Sequence, residues 1–65
     1  MRIILNGAET EVEATRLDAA LAELGYAEGP FATAVNQSFV HREKRGETEL
    51  EEGDRIEVVA PLQGG

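Results

Sequence analysis

Residues 2–24 read RIILNGAETEVEATRLDAALAEL, and the period of the apolar residues changes inside this stretch. In Arg2–Asn6, Ile3 and Leu5 share one face at a spacing of two, and the β-branched pair Ile3-Ile4 favours extended backbone. Asn6-Gly7 follows at once, and this dipeptide tolerates the positive φ angles of a tight hairpin turn. Residues 10–14 alternate again, with Val12 inward and Glu11 and Glu13 outward, so the spacing predicts a β-hairpin. From Leu17 the period lengthens: Leu17, Ala20, Leu21 and Leu24 fall at i, i+3, i+4 and i+7, the apolar stripe of a helix. The helix should run about two to three turns. Thr15 is the expected N-cap, with Asp18 three residues on in the manner of a capping box. Gly25 is placed to end the helix in a left-handed conformation.

Past the helix, Gly29-Pro30 punctuates a connection over 25–32. Thr33–Asn36 reads as a strand, Gln37-Ser38 as a turn, and Phe39–Arg42 as a short return strand. Glu43–Thr48 is polar and reads as a loop, Leu50 as a lone apolar plug, Gly53-Asp54 as a turn, and Arg55–Ala60 as the last strand. The order ββαβββ, without βαβα alternation, is that of an α+β class with a mixed sheet and one main helix. The expected core is Ile3, Leu5, Val12, Leu17, Leu21, Leu24, Val35, Val40, Leu50, Ile56 and Val58. Residues 1–65 are expected to form one domain, with 61–65 as a flexible C-terminal tail.

Composition removes several functions. The chain has 13 acidic against 6 basic residues, a net charge of −7, which repels nucleic acid. It has no cysteine, so disulfides, thiolate metal sites and a cysteine nucleophile are all out. The longest apolar run, Val58–Leu62, is far too short to span a membrane, and a cytoplasmic protein is expected. A domain of this size buries a limited core, so the working surface should be an edge, a face or a terminus.

Catalytic residues are equally scarce. His41 lies three residues from Ser38, but nothing in the sequence supplies an oxyanion hole, and a surface histidine is the simpler reading. His41 and Glu43 would be two metal ligands without a third. Glu47, Glu49, Glu51, Glu52 and Asp54 do not follow calcium-loop spacing and read as a solvated acidic segment. No catalytic residue, metal or bound cofactor is expected.

What remains is Pro61-Leu62-Gln63-Gly64-Gly65. Proline gives no ladder hydrogen bond, so the last strand should stop there. Five residues extend at most about 16–18 Å. Without Cβ atoms, Gly64 and Gly65 can enter a narrow channel in another protein, and the ionised Gly65 carboxylate can attack an activated phosphate. Alone, the two glycines read more simply as a frayed end.

The opening strand into Asn6-Gly7, Ala34-Val35-Asn36, and Val40 followed by Arg42 form one half of a larger pattern. Leu50 before Gly53-Asp54, Ile56–Val59, Pro61 and the Gln63-Gly64-Gly65 end form the other. In order and spacing, over essentially the whole chain, this resembles the ubiquitin-like sulfur carriers, and among them the ThiS carriers of thiamine biosynthesis. It departs from them at Gln37-Ser38 and at Glu43-Lys44-Arg45, where many members have a small or acid-Gly turn and an aromatic residue respectively.

The resemblance implies a ubiquitin-like β-grasp fold and a carrier cycle. In that cycle an E1-like adenylyltransferase (ThiF-like) uses ATP to adenylate Gly65, with Gly64 and Gln63 recognised as the tail. A cysteine desulfurase or other persulfide donor then yields a C-terminal thiocarboxylate, and a thiazole synthase (ThiG-like) takes the sulfur. The carrier is then a protein co-substrate and not an enzyme. Two other readings share these features: a MoaD-like or tRNA-thiolation carrier, and a non-reactive β-grasp binding module.

Overall fold

Asn6 and Gly7 take φ angles of +48° and +87°, the left-handed pair that a two-residue hairpin turn requires. They join β1 (Arg2–Leu5) to β2 (Ala8–Glu11) in an antiparallel register that sets Leu5 against Ala8 and Ile3 against Thr10. The computed structural model describes residues 1–26 and 29–60. The second strand begins at Ala8 and not at Thr10 as the sequence predicts, because a two-residue turn leaves no room for a longer loop. Val12 lies one residue past the strand and is still fully buried. Its amide donates to the Met1 carbonyl (2.9 Å), and the N-terminal ammonium donates to the Val12 carbonyl (2.6 Å).

The second hairpin repeats the first. β3 (Ala32–Val35) and β4 (Ser38–Val40) pair antiparallel, with Val35 against Ser38. Asn36 and Gln37 have φ of +49° and +71°, so the turn sits one residue earlier than the expected Gln37-Ser38. The reason lies in Asn36. Asparagine tolerates the left-handed region, and here its side chain bonds to neighbouring backbone and acid. Gln37 holds the same conformation without that advantage.

β5 (Arg55–Val59) enters between the hairpins and gives the order β2-β1-β5-β3-β4. It runs parallel to β1 and antiparallel to β3, so the sheet is mixed, as expected for this α+β class. Asn6 and Asn36 flank it. The Asn6 Oδ1 accepts from the Val58 amide (2.9 Å), and the Asn36 Oδ1 accepts from the Arg55 amide (3.0 Å). The Asn36 Nδ2 donates to Asp54 Oδ1 (3.0 Å), whose other oxygen accepts from the Glu51 amide (2.8 Å). Asp54 of the acidic segment therefore shapes the turn that launches β5, where Gly53 has φ +87°.

Helix α1 (Leu17–Glu23) covers one face of the sheet with Leu17, Ala20 and Leu21. Its N-cap is Arg16, without a side-chain cap bond, and not Thr15. Thr15 is occupied elsewhere: its carbonyl accepts from the Leu50 amide (2.8 Å), while the Leu17 amide donates to the Thr48 carbonyl (2.9 Å). This short bridge satisfies an orphan helix donor and drives Leu50 into the core. Among the described residues Asp18 accepts only from the adjacent Ala19 amide (2.7 Å). The C-terminus matches expectation. Gly25 has φ +97°, its amide donates to Ala22, and the Tyr26 amide donates to Leu21 (2.7 Å), a Schellman closure. The Glu23 carboxylate caps the Glu13 and Ala14 amides that lead into the helix.

Ile3, Val12, Leu17, Leu21, Leu50 and Ile56 are buried, as the pattern predicts. Leu5, Leu24, Val35, Val40 and Val58 pack against them half-buried. The expected loop 43–48 is instead a 3-10 helix, Arg42–Glu47, which also takes Arg42 out of the fourth strand.

Two substitutions test the second hairpin. Asn36→Ala removes both side-chain bonds to the β5 entry and should cost about 1–2 kcal/mol, measured by urea unfolding. Gln37→Gly relieves a left-handed non-glycine residue and should gain up to about 1 kcal/mol after the entropic cost of glycine. For a domain this small, each such step moves the thermal midpoint by several degrees.

Candidate functional site

The outer face of the sheet, opposite the helix, divides into two halves. On the β1/β2 side, the exposed Arg2 lies near Glu9 (3.7 Å) and Glu11 (3.8 Å), contacts that solvent screens to small energies. On the β3/β4/β5 side the surface is apolar. Phe39 is 60% exposed and Val59 is 64% exposed, an unusual state for large hydrophobic side chains. With Ala32, Ala34 and Glu57 they border a shallow depression of about 210 Å³. The registers Ala34–Phe39 and Ala32–Val59 bring them together from three strands. The His41 ring stands edge-on to Phe39 at 4.7 Å between centroids.

A second hollow, about 330 Å³, opens beyond the helix C-terminus along the end of β5. Tyr26, Gly29, Pro30, Phe31, Val58 and Ala60 line it. Tyr26 is placed by the Schellman closure and meets Phe31 edge-on at 5.9 Å. Phe31 is fixed on another side by Arg45, whose guanidinium carbon lies 4.4 Å from the ring centroid.

Arg45 is 8% exposed, on the 3-10 helix. Its Nη2 donates to the Phe31 carbonyl (2.8 Å) and its Nε to the Thr33 hydroxyl (3.1 Å). Thr33, 1% exposed, donates a hydrogen bond from its hydroxyl to the Val40 carbonyl (3.0 Å). Among the described residues no carboxylate forms an ion pair with Arg45. Neutral acceptors and an aromatic face carry the desolvated charge. The sequence reading missed this cluster. Period-two parity in β3 would have placed Thr33 inward with Val35. Arg45 had no signal, because its burial depends on the path of a segment read as a loop.

Gln63, Gly64 and Gly65, the expected tail residues, lie outside the described residues, as does the whole tail 61–65. Ser38 is exposed on β4, and His41 turns its ring to Phe39; no hydrogen bond joins the two among the described residues. Among the described residues no group of three or more metal-ligating side chains converges, and no helix is long and apolar enough to cross a membrane.

The ThiS family model matches residues 3–65. The chain belongs to that family. The crystal structure of a thiamine biosynthesis protein (ThiS) from Geobacter metallireducens superposes with a TM-score of 0.84 at 23% identity, covering 100% of both chains. That likeness shows the shared fold, the β-grasp arrangement that the resemblance implied. No curated protein matches the chain in sequence.

Arg45→Ala should cost about 2–3 kcal/mol, since it strips charged hydrogen bonds and leaves Thr33 and Phe31 short of a partner. Phe39→Ser, at an exposed site, should stay within about 0.5 kcal/mol of the wild type. Chemical denaturation of the two variants measures both.

Proposed function

We propose that this ThiS-family chain is a sulfur carrier of thiamine biosynthesis, working through the carboxylate of Gly65. The observation that carries the reading is the extent of the family match, which runs from Ile3 to Gly65 and so takes in the Gly64-Gly65 end.

The chemistry follows from the carboxylate. A carboxylate resists nucleophilic attack because its negative charge is delocalised. Attack of the Gly65 oxygen on the α-phosphate of ATP expels pyrophosphate and gives an acyl-adenylate. A persulfide sulfur then attacks the acyl carbon, AMP leaves with the bonding electrons, and reductive cleavage of the S–S bond by a thiol leaves a thiocarboxylate. ATP, the adenylyltransferase and the persulfide donor act from outside this chain, and a thiazole synthase consumes the sulfur.

The outer apolar face supports a docking role in the same cycle. An activating enzyme that draws Gly65 into its active site must sit beside the end of β5, and Val59 is exposed there two residues before Pro61. The depression at Phe39 and Val59 offers it apolar contact, and the net charge of −7 favours a basic rim on the partner.

Incubation with a ThiF-like enzyme, ATP and a sulfur donor should add the mass of one oxygen-to-sulfur exchange, placed on Gly65 by fragmentation mass spectrometry. An unchanged mass with an enzyme proven active sinks the reading. Gly65→Ala should hinder adenylation and leave the thermal midpoint unchanged. Phe39→Asp should raise KM for the carrier about tenfold or more, the effect of losing a buried aromatic contact, with kcat nearly preserved.

A further inference from the structure

The sheet ends in two edge strands, β2 and β4, and the two edges are unlike. We propose that two copies of this chain pair through β4, antiparallel about a two-fold axis at Phe39, so that one sheet continues across both. The inference does not rest on what Gly65 carries.

Register fixes where the backbone groups of β4 point. The Asn36 amide donates to the Arg55 carbonyl (2.7 Å), so position 36 turns its backbone toward β5. Direction alternates along a strand, so Ala34, opposite Glu57, also faces β5, while Thr33 and Val35 face β4. Ala34–Phe39 is therefore a pair without hydrogen bonds, and the Phe39 amide and carbonyl point away from β3. The Val40 carbonyl, one residue on, is turned inward and accepts from the Thr33 hydroxyl, as this alternation requires. No other strand lies beyond β4. An outward donor and an outward acceptor on one residue are self-complementary. About a two-fold axis each Phe39 amide meets the other's carbonyl, and two hydrogen bonds form. The axis also sets ring beside ring on the outer face, where Phe39 is 60% exposed in the single chain.

Charge selects this edge over the other. The Ile4 and Asn6 amides donate to the Asp54 and Ile56 carbonyls, so by the same alternation Glu9 and Glu11 of β2 carry the outward backbone groups. A two-fold pairing of β2 would set carboxylate against carboxylate, which opposes association. Asn36–Val40 holds neither a charged residue nor a proline. The next segment, Arg42–Glu47, has three basic residues against two acidic, in a chain of net charge −7. The sheet order also keeps Glu9 and Glu11 four strands from β4, roughly 19 Å at about 4.8 Å per strand, where salt screens them. Pairing covers one side of Phe39, so self-association and the docking of an activating enzyme draw on the same residue.

The test uses the chain alone. A three-residue strand buries far less than the about 1,200 Å² of a stable interface, so half-association is expected at about 0.1–1 mM, read by nuclear magnetic resonance from about 0.02 to about 2 mM. Translational diffusion should slow as concentration rises, and the Phe39 amide shift should move with it. A mixture of isotope-labelled and unlabelled copies should show Overhauser contacts between the Ser38 α proton of one copy and the Val40 α proton of the other, the closest pair in this register. Phe39→Pro removes the outward donor without touching a hydrogen bond to β3, and should weaken association about tenfold or more. Phe39→Lys, which opposes like charges across the axis, should do the same and serves if circular dichroism shows the proline variant unfolded. Diffusion independent of concentration, contacts between copies at another surface, or undiminished association in the folded variants overturns the proposal. No enzyme, ATP or sulfur donor enters the measurement, so this pairing and the carrier reading fail separately.

Discussion

The insertion of β5 between β1 and β3 is the contact on which everything else rests. Neither hairpin has a partner for its inner edge without it, and two-stranded hairpins are marginal in water. β5 joins them by parallel pairing on one side and antiparallel pairing on the other. The two turn asparagines lengthen both seams, since Asn6 and Asn36 each accept a β5 amide through a side-chain oxygen. The same strand buries Ile56 under the helix, exposes Val59 on the outer face and leads into the tail. The buried Ile56 and the exposed Val59 thus lie three positions apart on one strand.

This arrangement suits a carrier. A carrier that other proteins must recognise needs a rigid frame and an exposed surface on it. The central strand β5 is well restrained, because it is held on both edges. The helix side of that strand carries the Tyr26–Phe31 hollow, and the other side carries Phe39 and Val59. Arg45 and Thr33 lie between them, tying the 3-10 helix to β3. A buried guanidinium is an expensive tie, and it is tolerated because its bonds end on the Thr33 hydroxyl in β3 and on the Phe31 carbonyl just before that strand.

Much of this was legible from residue patterns because the relevant physics is local. Period two in Ile3 and Leu5, period 3.6 from Leu17 to Leu24, and Asn6-Gly7 at the turn are short-range signals, and each appears in the structure. The misreadings occur where a distant segment competes for a local role. Thr15 fails as the N-cap because its carbonyl serves Leu50, 35 positions away in sequence. The second turn moves to Asn36-Gln37 because Asn36 bonds to Asp54 and Arg55. Arg42–Glu47 coils because Arg45 reaches down to Phe31 and Thr33.

The sequence by itself determined the class of the fold, the order of its strands and main helix, and most of the apolar core, since these follow from periodicity and turn motifs read in order, and it carried the resemblance to the family. Only the tertiary structure decided which exposed residues form a surface and which polar residues are buried. Phe39 and Val59 lie 20 positions apart and meet only through strand register. Arg45 looks like any loop cation until the path of the chain closes over it. Such facts belong to pairs of residues that the sheet brings together, and a pattern that repeats every two or four residues carries no record of them.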